Sequence, residues 1–316
     1  MAYRLVVIDG DRYDELMARV SALDYYTSKA DIHGICIALS TETREHFEMW
    51  VDNFYHMSDS VRSHARIFCI DDPLTDLHAE YEISTRTMFL FNFDYYGWVK
   101  SIALGMAGNI LEDSHSIHSV HGAALEIDGV GVTLIAPSKT GKTTQSWGLL
   151  RDGRAHLITD DWYFVSLGRD RPLAQGSEKN CYIDADIGDV WGEYKPLVDK
   201  VRFDQKGRGI GNIRWIAGDD AMAPDARMGY IFLLERDPSV APGAREIPAE
   251  EAFGYLDSNG FCNPHQLLFD DRRVRSRKEF FRRYLESCET FMVNTTMPPE
   301  ETQAEIRRIL SSRCRL

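Results

Sequence analysis

A short turn rich in glycine, lysine and threonine carries the clearest chemical signal in the sequence. Residues 136–143 read Ala-Pro-Ser-Lys-Thr-Gly-Lys-Thr, which matches G-x-x-x-x-G-K-[ST] except that Ala136 replaces the first glycine. In such a loop, backbone N–H groups turn inward toward phosphate oxygens, and the following helix adds partial positive charge. The pattern therefore predicts a P-loop that binds the phosphates of ATP. The predicted contacts are Ala136, Pro137, Ser138, Lys139, Thr140, Gly141, Lys142, Thr143 and Thr144.

Three residues of this loop are suited to a magnesium nucleotide. Gly141 lets the backbone pass close to the phosphates, and Lys142 can reach the β- and γ-phosphate oxygens. The hydroxyl of Thr143 is a hard oxygen ligand of the kind that Mg²⁺ prefers. The simpler alternative is an ordinary strand-to-helix turn with a surface lysine, but the strand before the loop and the helix after it favour the P-loop.

A pair of acids, Asp160 and Asp161, ends the strand that follows the P-loop helix. Neighbouring strand ends of a parallel α/β sheet lie on the same side, so these carboxylates are expected beside the bound phosphates. One could hold Mg²⁺ together with Thr143, and the other could accept the proton of an attacking hydroxyl group. Taken without the P-loop, the pair would more simply be a surface turn.

Around these residues the sequence predicts an α/β arrangement from about residue 115 onward. Asp128-Gly129 is a strong hairpin signal between two strand-like runs, and His121 lies in the first of them, the strand expected to pair with the P-loop strand. A histidine in a buried strand is most simply a core residue. The predicted strands are 120–127, 131–136, 156–159, 230–234 and 291–294, with an apolar run at 162–167, and the predicted helices are 142–150, 276–288 and 300–310.

The first part of the chain mixes short strand-like runs with polar segments and carries no catalytic motif. We predict strands at 34–39, 66–70 and 85–93, and helices at 42–56 and 95–111. The predicted division is an N-terminal region of residues 1–94, a candidate element of acceptor specificity, and a nucleotide-binding catalytic domain of residues 95–316.

Bulk composition excludes several classes of protein. The chain has 316 residues, 44% of them hydrophobic, and a formal net charge of -13, which disfavours nucleic-acid binding. No run reaches the roughly 18 apolar residues of a membrane span, and the N-terminus does not look like a signal peptide. Six cysteines without a CxxC pair suggest reduced thiols in a cytoplasmic protein.

The order of these motifs resembles HPr kinase/phosphorylase and its wider relatives. Residues 120–122 (Val-His-Gly), 126–132 (Glu-Ile-Asp-Gly-Val-Gly-Val), the P-loop and Asp160-Asp161 follow one another as in that family. The likeness is specific over residues 119–165, is looser through 230–235, 293–296 and 299–301, and does not extend to residues 1–94. It implies the P-loop fold shared with phosphoenolpyruvate carboxykinase, built on a central β-sheet and here preceded by a smaller α+β region.

The resemblance also implies roles for individual residues. Lys142 would contact the phosphates and His121 would lie near the transferring phosphate. Asp160 would be the general base, whereas Asp161 would help Thr143 to hold Mg²⁺. The family's Glu-x-Arg-Gly-x-Gly segment is replaced by residues 176–181, so Glu178 is a candidate metal or substrate residue.

Together these observations predict an ATP- and Mg²⁺-dependent kinase that phosphorylates a hydroxyl group. The acceptor could be a serine of a peptide or protein, or a small-molecule alcohol. An ATP hydrolase or nucleotide-dependent switch and a non-catalytic nucleotide-binding protein are the alternatives. GTP or pyrophosphate as donor stays open, because nothing in the loop selects the base. Members of the family often form oligomers, so a homo-oligomer is possible.

Overall fold

The computed structural model describes residues 3–263 and 267–313, which form a mixed α/β protein with two compact units. Among these residues, the first unit contains 3–116 and 267–268, and the second contains 117–263 and 269–313. The units divide after Ser116, later than the predicted boundary at residue 94, because the helix of residues 96–115 packs within the first unit.

The first unit is a mixed seven-stranded sheet with three helices, in the strand order β1-β6-β7-β5-β3-β2-β4. The predicted strands at 34–39, 66–70 and 85–93 and helices at 42–56 and 95–111 are confirmed, with ends shifted by a few residues. Its strands are β1 (Arg4–Val7), β2 (Tyr26–Ile32), β3 (Ile35–Thr41), β4 (Tyr55–His56), β5 (Ala65–Ile70), β6 (His78–Glu82) and β7 (Thr87–Phe91), and its helices are α1 (Gly10–Val20), α2 (Arg44–Asn53) and α3 (Tyr96–His115).

Strand β7 is buried on both faces, which explains its continuous apolar sequence. Its residues Phe89 and Phe91 pack with Leu16 and Val20 of α1, because α1 is amphipathic and turns these residues inward. Helix α3 is apolar almost all round and is buried along most of its length, as expected for a core helix.

A partly buried ion pair joins α1 to the sheet of this unit. The Arg12 guanidinium meets both carboxylate oxygens of Glu80 at 2.9 Å, and lowers the pKa of Glu80 below its ordinary value. A lowered carboxyl pKa stabilises the folded state above the unfolded-state pKa, and this stability is lost as the pH falls through the folded-state pKa.

We therefore expect Glu80→Gln to destabilise the protein by about 1 kcal/mol at neutral pH, a value reduced because Arg12 is partly exposed. The difference from the wild type should shrink as the pH falls from the ordinary glutamate pKa through the lowered folded-state pKa of Glu80, because the wild-type carboxylate is then protonated as well. Urea unfolding at neutral pH and at a series of acidic pH values measures this. Glu15→Gln removes the exposed second partner of Arg12 and is the control, with little change expected at any of these pH values.

The second unit is built on a nine-stranded sheet in the order β11-β9-β10-β16-β13-β12-β8, with β18 paired to β16 and β17 to β18. Strands β14 and β15 form a separate two-stranded sheet. The strands are β8 (Ile117–His121), β9 (Ala123–Ile127), β10 (Val130–Ile135), β11 (Ala155–Thr159), β12 (Trp162–Ser166), β13 (Leu173–Gly176), β14 (Cys181–Asp184), β15 (Arg208–Gly211), β16 (Asp225–Glu235), β17 (Gly243–Glu246) and β18 (Glu289–Asn294). The helices are α4 (Lys142–Leu149), α5 (Ile187–Val190), α6 (Lys195–Val198), α7 (Arg214–Ala217), α8 (Ala249–Ser258), α9 (Asp271–Glu286) and α10 (Pro299–Arg313).

Alternate residues of β16 enter two different hydrophobic clusters, so both faces of the central sheet are covered. Phe232 and Leu234 pack with Trp147 of α4, whereas Ile231 and Leu233 pack with residues of α8 and α9. This explains the continuous apolar run at 230–234, which would be unfavourable on a half-exposed strand.

One strand prediction was wrong. Residues 120–127 do not form a single strand, because the chain changes partner at Gly122. Strand β8 pairs with β12 on one side of this glycine, and β9 pairs with β10 and β11 on the other. A side chain at residue 122 would lie 2.9 Å from the carbonyl oxygen of Leu134, so only glycine fits this close approach. His121 consequently ends the strand paired with β12, not the one paired with the P-loop strand.

Two expectations from composition concern the cysteines and the membrane-spanning segments. Cys36, Cys69, Cys181, Cys262 and Cys288 are free thiols, and Cys314 lies outside the described residues. Over the ranges that the structure covers, no helix has the length and apolar character needed to cross a bilayer.

Candidate active site

The predicted P-loop joins the end of β10 to the start of α4, as the sequence pattern requires. Two of its residues adopt left-handed backbone conformations, Lys139 with φ 68° and Gly141 with φ 94°. Glycine adopts such a conformation without steric cost, and Gly141 immediately precedes the helix. Ala136 is fully buried in the cluster that contains Leu134 and Trp147, so its methyl group packs beneath the loop.

The P-loop is held by a hydrogen bond within the loop and by hydrogen bonds from Thr295, which follows the end of β18. The Thr140 hydroxyl donates to the Pro137 carbonyl oxygen at 2.7 Å. The Thr295 hydroxyl donates to the Thr140 carbonyl oxygen at 2.8 Å, and the Thr295 N–H donates to the Glu235 carbonyl oxygen. Thr295 therefore ties the P-loop to the end of β16, a role that sequence reasoning missed although residues 293–296 belong to the looser part of the family resemblance.

The Lys142 side chain points toward the acidic pair. Its ammonium group lies 2.8 Å from the backbone carbonyl oxygen of Asp160 and 2.8 Å from Oδ1 of Asp161. The lysine and aspartate side chains are 12% and 28% exposed, so the ion pair is partly shielded from water. Lys142 and Asp161 are thus in direct contact.

His121 completes this cluster through both of its ring nitrogens. Nε2 lies 3.0 Å from Oδ1 of Asp161, and Nδ1 contacts the carbonyl oxygen of Cys262. A carbonyl oxygen can only accept, so Nδ1 carries a proton. Both ring nitrogens of His121 therefore lie against oxygen acceptors, one a backbone carbonyl and the other a carboxylate. The N–H of Gly122 also donates to the Asp161 carbonyl oxygen at 2.9 Å, so the bend at Gly122 sets the histidine beside the acid.

The two acids of the pair differ in environment. Asp160 is 2% exposed and offers Lys142 its backbone carbonyl, whereas the Asp161 carboxylate contacts both Lys142 and His121. Strand β11, which precedes them, is not adjacent to β10 as predicted, because β9 lies between them. Both are antiparallel to β9 and therefore run in the same direction, so the expected common edge is present.

Glu178 follows the end of β13, beside the start of β12, which directly follows the acidic pair in the chain. Gly176 is paired with Tyr163, and the Ser177 hydroxyl donates to the Trp162 carbonyl oxygen at 2.6 Å. Glu178 itself is 6% exposed. Within residues 3–263 and 267–313, no three His, Cys, Asp or Glu side chains are arranged to hold a metal ion. The assignment of Thr143, Asp161 and Glu178 to a metal therefore stays a prediction.

The structure thus brings Lys142, Asp161, His121 and the Asp160 backbone together, while Ser138 and Lys139 are exposed on the loop. The chemistry of the donors fits a magnesium nucleotide. An ammonium group and a helix N-terminus suit phosphate oxygens, and a hydroxyl and a carboxylate oxygen suit Mg²⁺. The cluster therefore contains groups that can bind an anion and groups that can accept or donate a proton.

Comparison with known proteins gives a distant structural likeness. No protein-family model matches the chain, and no characterised protein matches it by sequence. Among solved structures, the Hpr(Ser) kinase/phosphatase from Coxiella burnetii is similar at 15% sequence identity and a TM-score of 0.35, over 62% of this chain and 92% of that chain. These values describe a distant structural relationship.

Proposed function

We propose that this protein is an ATP- and Mg²⁺-dependent kinase of the HPr kinase-like and phosphoenolpyruvate carboxykinase-like P-loop class, which phosphorylates a hydroxyl group. The observation that carries the proposal is the contact of the P-loop lysine with an acid that also binds a histidine, namely Lys142, Asp161 and His121. A plain strand-to-helix turn with a surface lysine has no need of such a cluster.

Each group in the cluster has a task in phosphoryl transfer. The ammonium of Lys142 would leave Asp161 for the β- and γ-phosphate oxygens, because a triphosphate carries more negative charge than one carboxylate. Thr143, with Glu178 as a further candidate, would hold Mg²⁺, which neutralises phosphate charge when bound, and Asp161 would be a third ligand if Asp160 is the base. The His121 ring would then face the transferring phosphoryl group, where an N–H group can stabilise the charge that develops on it.

The geometry favours a different general base from the one that the sequence predicts. A general base must come within hydrogen-bonding distance of the acceptor hydroxyl, directly or through one water molecule. Asp160 is 2% exposed, whereas the Asp161 carboxylate is 28% exposed and lies among the phosphate-site residues. We therefore assign the base to Asp161, which would take the hydroxyl proton as the acceptor oxygen bonds to the γ-phosphorus and the bond to ADP breaks. Asp160 as base is the alternative.

The acceptor is proposed only by class, as a serine of a peptide or protein or a small-molecule alcohol. A specificity role for residues 1–94, a cytoplasmic location and assembly into homo-oligomers are further parts of the same proposal. They rest on the sequence and on the family resemblance alone.

The experiment that tests the function is incubation of the protein with γ-labelled ATP, Mg²⁺ and panels of peptides and small alcohols, followed by mass spectrometry of labelled products. A kinase transfers the label to an acceptor, and adding that acceptor raises nucleotide turnover. Release of labelled inorganic phosphate at a rate that no acceptor changes would instead identify a hydrolase. Nucleotide binding without any product would identify a binding protein.

A further inference from the structure

A second polar pocket lies at the opposite end of the P-loop helix. It has a volume of about 340 Å³ and lies between the turn that follows α4 and the first turns of α10. The residues that line it are Arg151, Glu300, Gln303, Ala304 and Arg307. Two guanidinium groups, an amide and a carboxylate in one pocket form a polar set that the proposed kinase reaction does not use.

The amide of Gln303 is the unusual feature of this pocket. Gln303 is 3% exposed, and among the described residues neither its Nε2 nor its Oε1 has a hydrogen-bond partner. A buried amide without partners is unfavourable, whereas an apolar side chain of similar shape would pack without that cost. The amide also requires the glycine at position 148, because a side chain there would lie 2.4 Å from Oε1 of Gln303.

The arginines of the pocket are held in place by the surrounding unit. Nε and Nη2 of Arg151 both bind Oε1 of Glu193, and its guanidinium lies 4.4 Å above the ring of Trp191. The Nη2 group of Arg307 donates to the Gly148 carbonyl oxygen at 2.8 Å. Guanidinium groups fixed in this way lose little freedom when they bind a carboxylate or phosphate.

We propose that this pocket binds a small anionic metabolite that also carries a hydroxyl or amino group. Its carboxylate or phosphate would contact the guanidinium groups of Arg151 and Arg307, a pairing that is strong because both partners are charged. The hydroxyl or amino group would meet the Gln303 amide, with Glu300 as a further acceptor. This site is distinct from the P-loop and does not depend on the kinase proposal.

A purely structural role for these residues predicts something different. If Gln303 only supported the packing of α10 on α4, replacing it would lower the unfolding temperature. If Gln303 instead binds a ligand, Gln303→Leu should raise the unfolding temperature of the ligand-free protein and abolish ligand binding. The two outcomes have opposite signs and are read from the same variant.

The test is isothermal titration calorimetry with malate and with glycerol 3-phosphate, which separate a carboxylate ligand from a phosphate ligand. Titrations in the Lys142→Ala background remove phosphate binding at the P-loop. We expect one probe to bind in the millimolar range or tighter, with affinity at least about tenfold lower in Gln303→Leu and in Arg151→Ala. Arg308→Ala, which removes an exposed arginine paired with Glu305 outside the pocket, should bind as the parent does.

Three results would overturn the proposal. One is the absence of heat from both probes at high millimolar concentration. Another is binding that Gln303→Leu and Arg151→Ala leave unchanged, since the probe would then bind elsewhere. The third is a lower unfolding temperature for Gln303→Leu, which would make the amide a packing residue. None of these results depends on whether Lys142 supports phosphoryl transfer, so the kinase proposal is tested separately.

Discussion

Replacing Lys142 with alanine is expected to lower phosphoryl transfer by on the order of 10²- to 10³-fold or more, the usual effect of removing one charge-stabilising group from a transfer site. The Lys142 ammonium group lies 2.8 Å from the Asp161 carboxylate, and Lys142 is the first residue of the P-loop helix. The ammonium group can therefore exchange its contact with Asp161 for one with the phosphates of the nucleotide. Nucleotide affinity should fall as well. Label transfer from ATP measures the first effect, and calorimetry with ATP measures the second.

Lys278→Ala is the matched control for this variant. Lys278 also forms an ion pair with an aspartate of the same unit, Asp257, but this pair is exposed and lies on α8 and α9. Its loss should leave transfer unchanged and alter stability by less than about 1 kcal/mol. A Lys142→Ala protein that transfers the label at the native rate would remove the P-loop from the reaction, and the proposed function with it.

Most of what the sequence predicts correctly is local. Helices and strands in the second unit follow from apolar periodicity, and the loop before α4 follows from a pattern whose residue types are set by backbone geometry and phosphate chemistry. The sequence indicates that Gly141 is needed for a close approach of the backbone, and the structure adds a left-handed conformation that glycine adopts without steric cost.

The sequence could not predict contacts that depend on distant strands. His121 was expected beside the P-loop strand, whereas the bend at Gly122 places it against Asp161 and the Cys262 carbonyl oxygen. Residue 262 is separated from it by 141 positions, and a backbone carbonyl leaves no mark in a sequence pattern. Thr295 is similar, since its contact with Thr140 spans 155 positions.

Burial is the other quantity that the motif could not supply. Asp160 and Asp161 are the same residue type at consecutive positions, so their roles could be divided only by resemblance. The structure separates them, because alternate residues at a strand end point in opposite directions. Asp160 is buried and Asp161 joins the cluster, which reverses the preference for the base.

Replacing Asp161 with asparagine should lower turnover by on the order of 10²- to 10⁴-fold, the range measured for loss of a general base. Asparagine keeps the shape of the side chain but cannot take the acceptor proton. Binding should change in the opposite direction. Without Mg²⁺, ATP should bind about two- to fivefold more tightly, because Lys142 no longer has to leave a carboxylate whose partly exposed ion pair is worth up to about 1 kcal/mol. Calorimetry without and with Mg²⁺ tests this, and the tightening should shrink when the metal is present.

Asp160→Asn separates this assignment from the one that the sequence predicts. Because Asp160 is buried, its replacement should lower the unfolding temperature but leave turnover per folded molecule within about tenfold of the wild type. Unfolding and turnover must therefore be measured on the same preparations. If Asp160→Asn folds and binds ATP but loses turnover, while Asp161→Asn stays active, Asp160 is the base. Asp161 would then serve Lys142, His121 and the metal, and the acceptor would have to reach the base through a local opening of the strand end that precedes β12.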